Sequence, residues 1–265
     1  MSAGGLGFSV EALLPRARGG GPLRMGLVRV PEGEWLDPAP DRALRATTLA
    51  AHPEAVQLTP AAHAPGAEVA ALLGVAGGLA EAAQSVWEDL CVLTRAEGEA
   101  VWRLAGAAVA FPTDWHVAEK LGLPLAAVHA PIPFYAEQLA SGVDHFMDAL
   151  KPGPIFGRCN WDIAPTPALR WLADVPPEVA FAHVTPANAG EALFVRCERQ
   201  TLRKLPETGA VLFTIGVYLS PLGRLAPGQR AWLVDALAAL PAPEAARRGT
   251  AHYAPQLAAF ARDTA

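Results

Sequence analysis

Charged and amide side chains are concentrated in one strand-like run within residues 191–222. The run FVRCERQTL predicts a strand with Arg199 on one face and with Arg196 and Gln200 on the other. If these polar groups are buried, they must pair with one another or with an anionic ligand. A solvated face of a β-hairpin is the alternative. The pattern alone leaves both interpretations open.

A histidine with the surroundings of a metal ligand occurs at the end of PTDWHVAEKLGLPLAAVH. His129 precedes the loop Ala-Pro-Ile-Pro, and prolines fix φ and exclude a helix directly after the histidine. A neutral imidazole on a stiff loop with apolar walls is suited to bind haem iron axially. A histidine that is simply hydrogen-bonded is the alternative. His145, close to the apolar stripe of a predicted helix, is the second candidate ligand.

Two adjacent acids, Glu88 and Asp89, stand between apolar residues in VWEDLCVL (86–93). Each is either a solvent-facing residue or a buried functional carboxylate. Adjacent acids do not resemble the acid pair of a glycosidase, which normally comes from separate elements. The chain also lacks the GxGxxG, Walker A, GxSxG and HExxH motifs, so those nucleotide-binding, hydrolase and zinc-protease classes have no support.

Short elements are expected to position these residues. The turn residues 206–209 separate the polar strand from a β-branched, nearly uncharged run that predicts a buried strand. The predicted strands are 25–30, 105–111, one within 152–171, 179–184, 194–201 and 211–219. The predicted helices are 67–93, 134–150, 227–240 and 256–261, with one or two helical turns at 42–49 and a short helix between Thr113 and Gly122.

Composition limits the kind of protein and its partners. The 265 residues are 52% hydrophobic and 18% charged, which is typical of a globular domain with a sizeable core. The net charge of -5, without a basic run, argues against nucleic acid and anionic membrane surfaces as partners. The most apolar window, 69–86, contains Glu81 and several glycines and therefore predicts no membrane span. Three cysteines without zinc-site spacing, and no signal peptide, predict a cytoplasmic protein with reduced thiols.

Taken together, these blocks resemble the haem-dependent oxidative N-demethylase family, whose best-known members act on dimethylamine. The matching stretches occur in the family's order over about residues 25–240. They are MGLVRV with Trp35, WEDLCVL, PTDWHVAEKLGLPLAAVHAPIPFY, RCNWDI and RCERQTLRKLPETGAVLFTIGVYL. Thr113 stands where serine is expected, and Gly216 stands where a larger polar or basic residue is expected. The second departure bears on substrate choice more than on fold.

The resemblance implies an α+β fold, with a PAS-like antiparallel sheet flanked by helices in a single domain. Residues 1–24 would be a loose N-terminal arm, and residues 25–265 a PAS-like haem-binding domain with C-terminal helices. His129 would be the ligand of haem b iron. Arg158, Arg196 and Arg199 would bind the haem propionates, because guanidinium groups suit carboxylates.

The resemblance also implies an activity. A monooxygenase would use O₂ to remove a methyl group from a small alkylamine, releasing formaldehyde and a shorter amine. Glu88 would hold the protonated amine, and Tyr218 would donate a hydrogen bond to the reacting oxygen. The chain has no nucleotide fingerprint and no CxxC-rich segment. Electrons from NAD(P)H are therefore expected to arrive through a separate flavin/iron–sulfur reductase. Separately, the protein is expected to form a homo- or hetero-oligomer.

Two further interpretations remain open at the level of sequence. One is a haem-PAS gas sensor or carrier without turnover. The other is a haem-free PAS-like module that binds a small molecule.

Overall fold

The computed structural model describes residues 5–264, and its architecture confirms the predicted α+β class. One antiparallel sheet has the strand order β1-β5-β6-β7-β3-β4-β2. Its strands are β1 (Val28–Val30), β2 (Val56–Leu58), β3 (Asp89–Thr94), β4 (Arg103–Ala108), β5 (Ile155–Ala164), β6 (Phe194–Lys204) and β7 (Val211–Pro221).

Twelve α-helices occur within the described residues. They are α1 (Val10–Leu13), α2 (Arg42–Ala51), α3 (His63–Leu72), α4 (Leu79–Ser85), α5 (Val117–Lys120), α6 (Leu125–Val128), α7 (Ser141–Ala149), α8 (Pro177–Ala180), α9 (Ala189–Ala192), α10 (Pro227–Ala238), α11 (Ala242–Arg247) and α12 (Ala254–Asp263). A π-helical turn, Ala136–Ala140, leads into α7. None of the helices in residues 5–264 has the length and apolar character needed to cross a bilayer.

The chain divides into two compact units. The first unit contains Leu23–Arg158 and Gln200–Gly216, together with Gly5. The second unit contains Leu6–Pro22, Cys159–Arg199 and the chain from Val217 onward. Strands β5, β6 and β7 each contribute residues to both units.

The predicted division of the chain after residue 24 stays a prediction. The first four residues of the predicted arm lie outside the described part of the chain. Further along the arm, four apolar side chains are buried in the second unit: Leu6, Val10, Leu13 and Leu14.

In the first unit, one face of the sheet packs against α6 and α7. Cys91 of β3 lies opposite Ala107 of β4 and Phe213 of β7, so the three side chains share this face. They belong to an apolar cluster whose members include Leu93, Leu104, Leu125, Met147, Leu150 and Val211, with Val128, Phe146, Phe156 and Leu202 packed against it. Helix formation at α6 and α7 is thus stabilised by burial of their apolar stripe.

The opposite face of this sheet carries hydroxyl groups, and these are paired. Thr201 of β6 and Thr214 of β7 are joined by a hydrogen bond of 2.6 Å. The indole Nε1 of Trp35 donates to Thr201 at 3.2 Å, and the Arg203 guanidinium lies 4.4 Å from the centre of the Trp35 ring. Trp35 is itself buried. Both faces of the hairpin are therefore covered in this unit.

The burial of individual residues in β6 and β7 decides between the two interpretations of the polar strand. Val211, Leu212, Ile215 and Val217 are buried, which confirms the predicted buried strand. Arg196, Arg199 and Gln200 are buried as well, so the alternative of a solvated hairpin face is wrong.

Two predicted elements are wrong. The helix expected over 67–93 is interrupted between α3 and α4, where Gly74 and Gly77 adopt positive φ angles of 69° and 113°. It ends at Ser85, and the last part of the predicted range is strand β3. Strand β3 forms because its backbone groups pair with both β4 and β7. The strand expected at 179–184 is replaced by the short helix α8, which begins at Pro177, a residue suited to the first turn of a helix.

The turn between β6 and β7 is held from outside by a carboxylate. Glu68 of α3 accepts hydrogen bonds from the backbone N–H groups of Glu207 and Thr208, at 2.8 and 2.9 Å, and from the Thr208 hydroxyl at 2.6 Å. Burial raises the pKa of Glu68, but these hydrogen bonds outweigh it, and the pKa lies below its ordinary value of 4.5. A folded-state pKa below the unfolded one means that ionised Glu68 stabilises the fold.

We expect Glu68→Gln to lower the free energy of unfolding at pH 7 by about 1.5–3 kcal/mol, the range for hydrogen bonds to a charged group. The stabilisation is complete above the unfolded pKa near 4.5 and is lost as the pH falls through the lower folded pKa. Urea unfolding of wild type and variant between pH 7 and pH 3 measures this difference. Glu207→Gln is the control, because that side chain is exposed and its backbone donor is kept. A difference that is independent of pH, or equal in the control, would contradict the assignment.

Candidate functional site

His129 terminates α6 and is tied back to the helix that carries it. Its Nδ1 lies 2.8 Å from the carbonyl oxygen of Leu125, which also accepts the backbone N–H of His129 at 3.1 Å. A carbonyl oxygen can only accept, so Nδ1 carries the proton and Nε2 carries the lone pair. An imidazole oriented in this way through a backbone carbonyl is typical of a metal-binding histidine.

The ring of His129 stacks on the ring of Tyr135. The ring centres are 4.4 Å apart, and the planes differ by 8°. Burial lowers the pKa of His129 to about 4, against the hydrogen bond to Leu125, and the charges of Arg158 and Lys120 lower it further. The imidazole is therefore neutral at pH 7, the form that binds metal ions.

Arg158 and Gln200 form a polar pair on neighbouring strands β5 and β6. The Nε of Arg158 donates to the side-chain oxygen of Gln200 at 2.7 Å. Each residue is two positions from an apolar residue that packs under α6 and α7, namely Phe156 and Leu202, so the pair lies on the same face of the sheet. The charge of Arg158 also lowers the pKa of His129, so these two predicted site residues interact electrostatically.

Glu88 is fully buried and is held by a different set of contacts. Its Oε1 accepts the backbone N–H of Asp37 at 2.9 Å. Asp37 follows Trp35, so the carboxylate is grouped with the segment that covers the threonine-bearing face of the sheet. The helix α6, which carries His129, packs on the opposite face, so the structure does not bring Glu88 and His129 together.

Asp89, by contrast, is held in a buried ion pair and by backbone hydrogen bonds. Its Oδ1 is 2.8 Å from Nη1 of Arg45 and accepts the backbone N–H of Ala110 at 2.7 Å, and Phe111 N–H lies 3.2 Å from Oδ2. Both partners of the ion pair are buried. The neighbouring acids therefore differ in their contacts, and the function predicted for Glu88 stays a prediction.

The other predicted site residues belong to the second unit. Arg196 is buried and donates from Nη1 to the carbonyl oxygen of Ala168 at 3.3 Å. Arg199 is buried with its guanidinium carbon 4.5 Å from the centre of the Phe8 ring. Tyr218 of β7 is half-buried. The functions predicted for these three residues stay predictions.

The second candidate ligand, His145, is exposed on α7. His129 is half-buried and its hydrogen bond to Leu125 fixes its tautomer, so its geometry suits a ligand better than that of His145. The ligand role of His129 stays a prediction. No group of three histidine, cysteine or acidic side chains is arranged to hold a metal ion within residues 5–264. A single histidine would be enough to hold a haem, because the porphyrin supplies the other iron ligands, and His129 would be that histidine.

Sequence reasoning missed Tyr135 and did not connect Gln200 with Arg158. Tyr135 follows His129 across a loop that contains two prolines, and no periodicity joins residues across such a loop. The Arg158–Gln200 pair depends on strand order, because β5 and β6 are neighbours in the sheet although some 40 residues separate them.

The family model for haem-dependent oxidative N-demethylase, alpha subunit-like, proteins matches residues 43–258. The chain belongs to this family. The match spans most of the chain and includes all six predicted site residues, so the predicted family is confirmed. Membership in the N-demethylase family indicates a haem-dependent oxidoreductase, and the description as alpha subunit-like implies assembly with other subunits.

We expect Arg45→Met to lower the free energy of unfolding by about 3–5 kcal/mol, because it leaves the Asp89 carboxylate buried without its counter-charge. Denaturant unfolding measures the loss. Arg42→Met on the same helix is the matched control, since Arg42 is exposed. Adding Asp89→Asn to Arg45→Met should recover part of the loss. Equal effects of the two arginine substitutions would contradict a structural ion pair.

Proposed function

We propose that this chain is the haem-binding subunit of an oxidative N-demethylase and that His129 is the protein ligand of haem b iron. The substrate is a small secondary or tertiary alkylamine such as dimethylamine. The observation that carries the proposal is the state of His129: a neutral imidazole whose Nδ1 proton is held by Leu125, leaving the Nε2 lone pair for the iron.

The residues around His129 in the first unit fit this cofactor. The planar ring of Tyr135 supports the imidazole, and Arg158 adds a guanidinium group on the same side of the sheet. A guanidinium is the natural partner of a propionate carboxylate. The propionate contacts predicted for Arg196 and Arg199, and the oxygen-directed hydrogen bond predicted for Tyr218, rest on the resemblance alone.

Bound haem would supply the iron at which O₂ is activated for oxidation of the N-methyl group. The overall reaction takes one amine, O₂, two electrons and two protons, and gives the demethylated amine, formaldehyde and water. The electrons come from NAD(P)H through a separate flavin/iron–sulfur reductase.

From the family resemblance, Glu88 is proposed to bind the substrate ammonium group. This role rests on the resemblance and on the chemistry of the carboxylate, because Glu88 and His129 belong to opposite faces of the sheet. The Glu88 carboxylate supplies the opposite charge and hydrogen-bond acceptors, and the Asp37 N–H fixes its orientation. A fully buried carboxylate interacts strongly with a cation because the local dielectric constant is low.

We also propose that the protein acts in the cytoplasm. Cys91, Cys159 and Cys197 are all buried free thiols, which suits a reducing compartment.

Haem titration followed by absorption tests the ligand. We expect a Soret band with wild type and with His145→Ala, and a lost or shifted band with His129→Ala. His145 is the matched control because it is exposed and belongs to the same unit. An unchanged band in His129→Ala would assign the ligand to another residue. No band with wild type would favour a haem-free module that binds a small molecule.

Turnover of dimethylamine and related amines, with a surrogate reductase, O₂ and detection of formaldehyde, tests the reaction. We expect Glu88→Gln to lower kcat/KM by roughly 10–100-fold, the effect of losing a charged hydrogen bond, without changing the haem spectrum. Glu137→Gln, at an exposed position, is the control. Haem-loaded wild type that releases no formaldehyde from any amine would favour a gas sensor or carrier.

A further inference from the structure

The backbone between His129 and Tyr135 is folded by two consecutive turns. The N–H of Ile132 donates to the carbonyl oxygen of His129 at 2.9 Å, and the N–H of Tyr135 donates to that of Ile132 at 3.2 Å. The two turns bring the Tyr135 ring back onto the imidazole that begins the segment.

Phe134 adopts an unfavourable backbone conformation in this segment. Its φ is 65°, in the left-handed region that side chains with a Cβ rarely occupy. The Phe134 side chain is 41% exposed, so burial of its own ring gives little compensation. Strain of this kind persists where the surrounding structure demands it and is often found at functional sites. Here the residue after the strained one is the stacking partner of His129.

Two contacts of different kinds restrain the imidazole. The hydrogen bond from Nδ1 to Leu125 selects one tautomer and one of the two ring orientations. The face-to-face contact with Tyr135, a buried residue, blocks rotation of the ring out of its plane. Neither contact requires the phenol hydroxyl, so a phenylalanine ring in place of Tyr135 would preserve both.

We propose that Tyr135 is a positioning residue that, with the carbonyl of Leu125, holds His129 in the orientation needed for iron binding. The left-handed turn at Phe134 delivers Tyr135 to that position. This inference rests on the proposed function, in which His129 is the haem ligand. We call the two restraints on His129, from the Leu125 carbonyl and the Tyr135 ring, the clamp. An imidazole that is already ordered loses less rotational freedom when it binds iron, so the clamp slows haem release and narrows the range of imidazole orientations.

The first test uses the haem-free protein, observed by NMR with ¹⁵N-labelled histidine. We expect a single His129 tautomer with the proton on Nδ1, and nuclear Overhauser contacts between the His129 and Tyr135 rings. Tyr135→Phe should keep both signatures. Tyr135→Leu should give a mixture of tautomers, because without the stacked ring the imidazole can rotate away from the Leu125 carbonyl. A mixture of tautomers in the wild-type protein would overturn the inference, whether or not the variants fold.

The second test measures the rate of haem transfer from the loaded protein to an excess of apomyoglobin. We expect Tyr135→Phe and Phe134→Asn to stay within about two-fold of wild type, because the first keeps the ring and asparagine tolerates the left-handed region. Tyr135→Leu should release haem about ten-fold faster, a change of roughly 1.4 kcal/mol.

Phe146→Leu is the matched control. Phe146 is a core aromatic residue of α7 in the same unit, and its ring contacts Phe156 rather than the histidine. It should leave the His129 tautomer and the haem transfer rate unchanged. Equal rates for Tyr135→Leu and Tyr135→Phe, or an equal acceleration by Phe146→Leu, would overturn the positioning role. If the wild-type protein takes up no haem, the proposed function is wrong. The NMR test on the haem-free protein would still show whether Tyr135 and Leu125 restrain His129.

Discussion

Coverage of the sheet on both faces is the constraint on which the first unit depends. A polar group on a covered strand must find a partner, because burying it unpaired costs more than a hydrogen bond contributes. On one face the demand is met by Thr201, Thr214 and the indole of Trp35. On the other face it is met by the pair of Arg158 and Gln200, beside the apolar cluster under α6 and α7. The same constraint explains the buried ion pair that begins β3.

His129 has a hydrogen-bond partner for one ring nitrogen, Nδ1, and the lone pair of the other, Nε2, is the one that could bind a metal. Its Nδ1 proton is used by the Leu125 carbonyl of its own helix, so the demand for a partner is met locally. Burial and nearby positive charge keep the ring neutral, with the pKa lowered to about 4. A neutral ring with a defined tautomer is what a histidine ligand of haem iron would require, so the packing of this unit is compatible with the haem dependence indicated by the family.

The sequence predicted the features that depend on local pattern. The hairpin strands, the turn at 206–209 and the position of His129 before a proline loop followed from alternation, turn residues and the geometry of proline. It did not predict strand β3, because the run before it has helical composition and only pairing with β4 and β7 selects the strand. Nor did it predict the stack of His129 on Tyr135 or the Arg158–Gln200 pair, because both depend on tertiary contacts.

Chemical rescue of the ligand tests the central claim most directly. In His129→Gly, the clamp formed by Leu125 and Tyr135 loses the ring that it holds, and free imidazole can replace it. Haem added to this variant should give little of the wild-type Soret band, and millimolar imidazole should restore it, while N-methylacetamide should not. Restoration by imidazole would establish His129 as the iron ligand. A wild-type band in His129→Gly without imidazole would contradict the account.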